Sequence, residues 1–145
     1  MKFPVIEMFG PTLQGEGPMI GVRTHFIRFG GCPYRCKWCD SLYAVLPEEV
    51  KKNATRMTAH EISERISKLD KSNWITLTGG DPVMYDLNSV VEVLGDHKLS
   101  VETEGALWHD WLKSVEQVVV SPKAPSSGMS EKTDWDILAK YEAIN

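Results

Sequence analysis

Apolar residues in this chain fall into short runs separated by amphipathic stretches. Val5 to Phe9 is a short mixed segment that could be a strand. Val22 to Phe29 is a firmer one, with Val22, Thr24, Phe26, Ile27 and Phe29 β-branched or aromatic. Between them, Gly10-Pro11-Thr12-Leu13-Gln14-Gly15-Glu16-Gly17-Pro18 holds three glycines and two prolines, which predicts a loop and excludes helix or a long strand. Leu42 to Met57, with Pro47 and the charged Glu48-Glu49-Val50-Lys51-Lys52, reads as an irregular, solvated excursion. Thr58-Ala59-His60-Glu61 has the form of a capping box, and Ile62, Ile66 and Leu69 follow at i, i+4 and i+7. Thr58–Leu69 is therefore predicted as a helix with one apolar face, His60 exposed in its first turn.

Trp74–Thr78 is a strand that breaks at Gly79-Gly80-Asp81-Pro82. Asp86 caps a helix through Leu87, Val90, Val91 and Leu94, which Gly95 ends. Leu99–Thr103 is another strand and Leu107–Lys113 a short helix with Trp108 and Trp111. Gln117–Ser121 is a strand whose apolar middle predicts burial on both faces. Asp134–Ala143 reads as a last helix, with Trp135, Leu138 and Tyr141 on its apolar face. Strands alternating with helices predict an α/β fold with a parallel sheet of right-handed βαβ units. Arg28 and the loop after it, Gly79-Gly80-Asp81, Glu102-Thr103 and Ser121-Pro122-Lys123 all fall at the C-terminal ends of strands, the edge where such sheets bind ligands.

Composition changes this picture little. The 145 residues suffice for one domain with a real core, and 42% hydrophobic with 25% charged residues is the balance of an ordinary globular protein. A net charge of −4 offers no general attraction to nucleic acid or an anionic membrane. No apolar run reaches the roughly 18 residues of a transmembrane helix. The N-terminus, Met1-Lys2-Phe3-Pro4-Val5, does not read as a signal peptide. An odd, clustered set of cysteines argues for free thiols in a reducing compartment, which makes the cytoplasm the expected location.

The candidate chemistry sits in Gly30 to Ser41. All three cysteines, Cys32, Cys36 and Cys39, lie there with C-x3-C-x2-C spacing. Thiolates so close can converge on one centre, and soft sulfur selects iron–sulfur clusters, zinc or Cu(I). Structural zinc and ordinary clusters take four protein ligands. Three cysteines either borrow a distant histidine, His25 or His60, or leave one metal position open to a non-protein ligand. Around them, Gln14 and Glu16 flank Gly15 in a position for polar, edge-on recognition. Arg28 is placed to clamp a carboxylate, or is simply a surface cation.

C-x3-C-x2-C with Trp38 before the last cysteine resembles the signature of the radical S-adenosylmethionine (SAM) superfamily. There, three cysteines hold a [4Fe–4S] cluster and SAM chelates the fourth iron. One electron then cleaves SAM to a 5′-deoxyadenosyl radical that abstracts hydrogen from substrate. The residues Gly10-Pro11-Thr12-Leu13-Gln14-Gly15-Glu16-Gly17, Phe26-Ile27-Arg28, Gly31-Cys32 and Trp38-Cys39-Asp40-Ser41 are similar, in order, to those of the 7-carboxy-7-deazaguanine synthase family. So are Thr78-Gly79-Gly80-Asp81-Pro82, Glu102-Thr103-Glu104-Gly105 and Ser121-Pro122-Lys123.

The resemblance implies a radical-SAM βα barrel in which Cys32, Cys36 and Cys39 bind the cluster. It implies SAM contacts from Trp38, Cys39, Asp40, Gly80, Ser121, Pro122 and Lys123, and a Mg²⁺ ligand in Ser41, whose hydroxyl suits a hard cation. Leu13, Gln14, Gly15, Arg28 and Thr78 match substrate-contacting positions. The implied reaction contracts the ring of 6-carboxy-5,6,7,8-tetrahydropterin to 7-carboxy-7-deazaguanine with loss of ammonia, SAM being regenerated and a flavodoxin-type protein supplying electrons.

Two departures from the family pattern stand out. Gly79-Gly80-Asp81-Pro82 replaces the usual Gly-Gly-Glu-Pro, with little effect expected where backbone makes the contact. Family members also continue for some tens of residues past the position of Asn145. Residues 1–145 are thus expected to form a single radical SAM domain, a partial, open barrel with four of the usual six strands. Its exposed edge predicts a homodimer. The alternatives are a glycyl-radical activating enzyme of the anaerobic ribonucleotide reductase type, and a non-catalytic metal-binding interaction module.

Overall fold

The computed structural model describes residues 1–144; Asn145, the end of the expected domain, lies outside the described residues. A single six-stranded sheet organises the chain, in the order β3-β1-β2-β4-β5-β6. The four strands β2 (Arg23–Phe29), β4 (Trp74–Gly79), β5 (Lys98–Thr103) and β6 (Gln117–Val120) are parallel neighbours, as the alternation of strands and helices predicts. β1 (Phe3–Leu13) and β3 (Thr55–Met57) extend the sheet beyond β2 as antiparallel additions. The sheet does not close, so the architecture is an open half-barrel.

Period-two alternation gives the sheet two unlike faces. Register pairs Ile27 with Leu77 and Leu77 with Val101, and these fully buried side chains face the helices α3 (Ala59–Ile66) and α4 (Asn88–Val93). Ile62 and Ile66 of α3, and Leu87, Val90 and Leu94 in and around α4, complete that core. The other face is polar. Thr24, Thr76 and Ser100 form a hydrogen-bonded rung across three strands (3.0 and 2.8 Å), which satisfies hydroxyls that burial would otherwise penalise. Further along, Phe26, Arg28, Thr78 and Glu102 line the concave side where the ligand cavity opens.

The capping box at α3 forms as expected, Glu61 N–H donating to Thr58 Oγ1 (3.2 Å) and Thr58 N–H to Glu61 (2.6 Å). Asp86 caps α4 by accepting from Asn88 N–H (3.1 Å). Five expectations need correction. β1 runs on through the glycine–proline stretch to Leu13; Gly10 and Pro11 fill a bulge between Phe9 and Thr12, which lets the ladder resume. Gly10 has φ +121°, and a side chain there would meet Thr24 O at 2.9 Å. The segment 42–57 is ordered as α1 (Leu42–Val45), α2 (Pro47–Asn53) and β3. Pro47 opens α2, with Glu48 and Glu49 in its first turn and Lys51 and Lys52 in its last, the arrangement that complements a helix dipole.

β6 is an edge strand. Only Val118 is buried, and Val119 and Val120 are half-exposed because the strand has one sheet neighbour. The 107–113 helix is instead a 3₁₀ segment, Asp110–Ser114. On α5 (Trp135–Glu142) Trp135 is exposed, because Tyr141 sets the buried face: its hydroxyl donates to Leu107 O (2.5 Å) and its ring meets Trp108 edge-on at 5.1 Å. Among the described residues, no helix is long and apolar enough to cross a membrane.

Candidate functional site

The cysteine loop leaves β2 at its C-terminal end and is pinned from both sides. Beneath it, the Gly79-Gly80 break of β4 packs backbone against backbone. Gly80 N–H donates to Phe29 O (3.1 Å), Asp81 N–H to Gly31 O (2.7 Å) and Gly31 N–H to Ala44 O (2.7 Å). A Cβ at Gly80 would collide with the Gly31 carbonyl, so glycine is required for this approach. From the far side, residues 127–132 clasp the loop. Lys37 N–H donates to Ser127 O (2.9 Å), Tyr34 OH to Lys132 O (3.0 Å) and Arg35 N–H to Met129 Sδ (3.2 Å).

So held, the three free, half-buried cysteines line one cavity of about 520 Å³. Their donor chemistry suits an iron–sulfur cluster. Among the described residues no three His, Cys, Asp or Glu side chains stand at single-ion spacing. A cubane receives each thiolate on a different iron, so its ligands are set wider than those of one ion. His25 is buried against Asp70 and His97 at the opposite end of the sheet, and His60 is exposed on α3, so neither lines this cavity with the cysteines.

Two carboxylate clusters shape the cavity. Glu102, on β5, accepts from Gln14 Nε2 (2.7 Å) and Thr78 Oγ1 (2.6 Å). Gln14 in turn uses its Oε1 to accept from Gly15 N–H (2.8 Å) and Glu16 N–H (3.1 Å), which fixes the loop after β1. Deeper, Asp81 accepts from Val83 N–H and Thr103 Oγ1, both at 2.8 Å. Burial pushes the neighbouring Glu104 carboxyl up, and its hydrogen bond to Asp81 and the Asp81 charge add to the rise. Cys32 lies 3.7 Å from Glu104, and burial, reinforced by Glu104, pushes its thiol up to about 12. A bound metal would displace that proton.

At the mouth, Glu7 accepts from Arg28 Nε (2.7 Å) and Tyr43 OH (3.1 Å), so Arg28 has one side of its guanidinium fixed. Ser41 Oγ donates to Asp40 (2.8 Å). Lys123 Nζ bonds Ser121 O (2.8 Å) and lies 5.9 Å from the Trp38 ring centre, a cation–π approach. Every residue that the resemblance singles out lines this cavity except Gly15 and Pro122. Glu102, Thr103, Glu104 and the stacked pair Phe9–Phe26 (5.2 Å between centroids) join them without having been assigned a role from the sequence. The sequence signals that reach them are the strand-end position of Glu102 and Thr103 and the family-like stretch Glu102-Thr103-Glu104-Gly105.

The chain is 37% identical over 142 residues to the 7-carboxy-7-deazaguanine synthase of Bacillus cereus, covering 94% of this chain and 58% of that protein. To the synthase of Bacillus subtilis (strain 168) it is 39% identical over 131 residues, 87% of this chain and 54% of the relative. To that of Escherichia coli (strain K12) it is 30% identical over 146 residues, 88% and 64%. It therefore spans between 54 and 64% of the length of these relatives. The crystal structure of QueE from Escherichia coli superposes with a TM-score of 0.73 at 22% identity, covering 98% of this chain and 75% of that one. That likeness is one of fold and agrees with the open α/β barrel. The model of the 4Fe-4S single cluster domain matches residues 13–120, a span that includes all three cysteines and every strand from β2 to β6. The chain belongs to the 4Fe-4S single cluster domain family.

Proposed function

We propose that this chain carries the active site of a radical SAM 7-carboxy-7-deazaguanine synthase, which converts 6-carboxy-5,6,7,8-tetrahydropterin to 7-carboxy-7-deazaguanine and ammonia. One observation carries the reading: cysteines, strand-end glycine, Ser121, Lys123, Arg28, Gln14 and Thr78, scattered over 110 residues of sequence, line a single cavity. Cys32, Cys36 and Cys39 would hold a [4Fe–4S] cluster, and SAM would lie between it and Trp38, Asp40, Gly80, Ser121, Pro122 and Lys123. When bound, cluster and SAM supply the one-electron chemistry that starts hydrogen abstraction; the protein supplies position and exclusion of water.

Arg28, held by Glu7 through Nε, presents its remaining nitrogens to a substrate carboxylate. Gln14 and Thr78, braced on Glu102, would face the pterin edge, with Gly15 held behind them on Gln14 Oε1 and Leu13 covering it. Ser41 would contribute its hydroxyl to Mg²⁺ beside that carboxylate, with Asp40 as its present hydrogen-bond partner.

The reading extends to a flavodoxin-type electron donor, a cytoplasmic setting suited to free thiols, and a single domain over residues 1–145. It also includes a homodimer, supported by the half-exposed valines of the β6 edge. The experiment is anaerobic reconstitution of the cluster followed by addition of SAM, Mg²⁺, reductant and carboxytetrahydropterin. Mass spectrometry should find 7-carboxy-7-deazaguanine. SAM cleavage without that product would refute the substrate assignment.

A further inference from the structure

Behind the cysteine loop lies a second hollow of about 580 Å³, between the loop, α2 and the β1–β3 edge of the sheet. Cys32 and Val45 line both it and the substrate cavity, so the first cluster cysteine forms part of the partition between them. Its charge is one-sided. Arg35, Lys51 and Arg56 line it, no carboxylate does, and this in a chain of net charge −4. Arg35 is fixed to the cysteine loop itself, its Nη1 donating to Cys32 O (2.7 Å) and Tyr34 O (2.6 Å). Lys51 and Arg56, both exposed, form no salt bridge and no side-chain hydrogen bond among the described residues. Glu48 and Glu49, on the same helix as Lys51, do not line the hollow. Val50 and the exposed Met84 add apolar surface to it.

We propose that this hollow is the docking surface for an acidic one-electron carrier protein that reduces the cluster while the substrate cavity stays occupied. The inference rests on the cluster assigned to Cys32, Cys36 and Cys39. A carrier seated here is separated from the cluster by one cysteine ligand and never competes with SAM or substrate for space. The step is a pure electron transfer. The carrier loses one electron, the cluster passes from its 2+ to its 1+ state, and no bond or proton changes hands on this chain. Three unopposed cations around an apolar centre match a carrier whose rim is acidic, and such complementarity acts mainly on the rate of encounter.

The test uses the cluster-loaded chain and an acidic flavodoxin in its hydroquinone form, following loss of cluster absorbance by stopped flow at low ionic strength. The double variant Lys51→Glu/Arg56→Glu should be reduced roughly tenfold more slowly or worse, and should lose the salt dependence of the unaltered chain. Lys68→Glu/Lys71→Glu makes the same charge change at the opposite end of the sheet and should leave the rate near that of the unaltered protein. Equal rates for the unaltered chain and the first variant, or equal slowing in both variants, would overturn the proposal. Bleaching by photoreduced 5-deazariboflavin, a small reductant that needs no docking surface, reports the cluster itself. A docking failure leaves it intact in every variant, whereas a failure of the cluster reading abolishes it in the unaltered chain too.

Discussion

Gly80→Ala separates two roles for one residue. The resemblance gives Gly80 a contact with SAM; the structure gives it a place where backbone crosses backbone. A methyl group there would set its carbon 2.7 Å from the Gly31 carbonyl carbon and 3.0 Å from Ala44 O, with the Gly31 oxygen nearer still. Optimal carbon contacts lie at about 3.5–4.0 Å, so the two chains must part by roughly 1 Å. None of the atoms met is the tip of a flexible side chain. Overpacking of this kind costs about 1–3 kcal/mol. Parting the chains also strains the Gly80 N–H···Phe29 O and Asp81 N–H···Gly31 O bonds, each worth about 1 kcal/mol. Together these amount to about 3–5 kcal/mol, a large share of a stability that is ordinarily about 5–15 kcal/mol. Urea denaturation of the cluster-free protein should show the midpoint falling sharply at unchanged slope. Gly15→Ala is the control: a Cβ there meets nothing within 4 Å, so its midpoint should stay put or rise slightly. If Gly80→Ala denatures with the unaltered protein and loses only affinity for SAM, the packing argument is wrong.

Three further outcomes follow from the same structure. Glu102→Ala should free Gln14 and with it the Gly15 and Glu16 amides, so hydrogen exchange at those amides should accelerate at least tenfold; unchanged protection would show that Gln14 does not depend on Glu102. His25 is buried and its pKa lies below the ordinary value of about 6.5, chiefly through desolvation. The unfolded chain therefore binds that proton more readily. Stability should be fully present above that ordinary value and fall as pH drops towards the folded one, a slope that His25→Gln should remove in denaturation series from pH 7.5 to 5. Parallel profiles would refute it. In the cluster-free protein Cys32, with its thiol pushed up to about 12, should react with iodoacetamide at pH 8 about a thousandfold more slowly than an ordinary free thiol. Peptide mass spectrometry would expose the error if it labels at the ordinary rate.

Local signals in the sequence were reliable where local chemistry decides the structure. The Thr58–Glu61 capping box, the Asp86 cap and the four parallel strands are each written in a few adjacent residues, and each forms. β3 has no sequence signal because three residues with only Met57 buried carry no period, and the pairing with Phe3–Val5 that makes them a strand is long-range. The bulge that extends β1 was hidden by the glycine and proline that create it. Trp135 misled because i, i+3, i+6 spacing defines a stripe without saying which end touches the core; the Tyr141 hydroxyl on Leu107 O decides that. At the site, the cysteines announce themselves by spacing. Glu102 does not, because its partner Gln14 is 88 residues away and only the fold brings them together.

The clasp of residues 127–132 on the cysteine loop also bears on the order of assembly. Tyr34 finds its acceptor 98 residues further on, and Arg35 its sulfur partner 94 residues further on. Contacts of such sequence separation are costly to close and form late. As the ribosome releases this protein, β2 and its thiols emerge long before the segment that immobilises them. Iron delivered early would meet a loop free to adopt many geometries, whereas iron delivered after the clasp closes meets one. The geometry in which the three thiols share one cavity is therefore a property of the completed fold and not of the cysteine segment by itself.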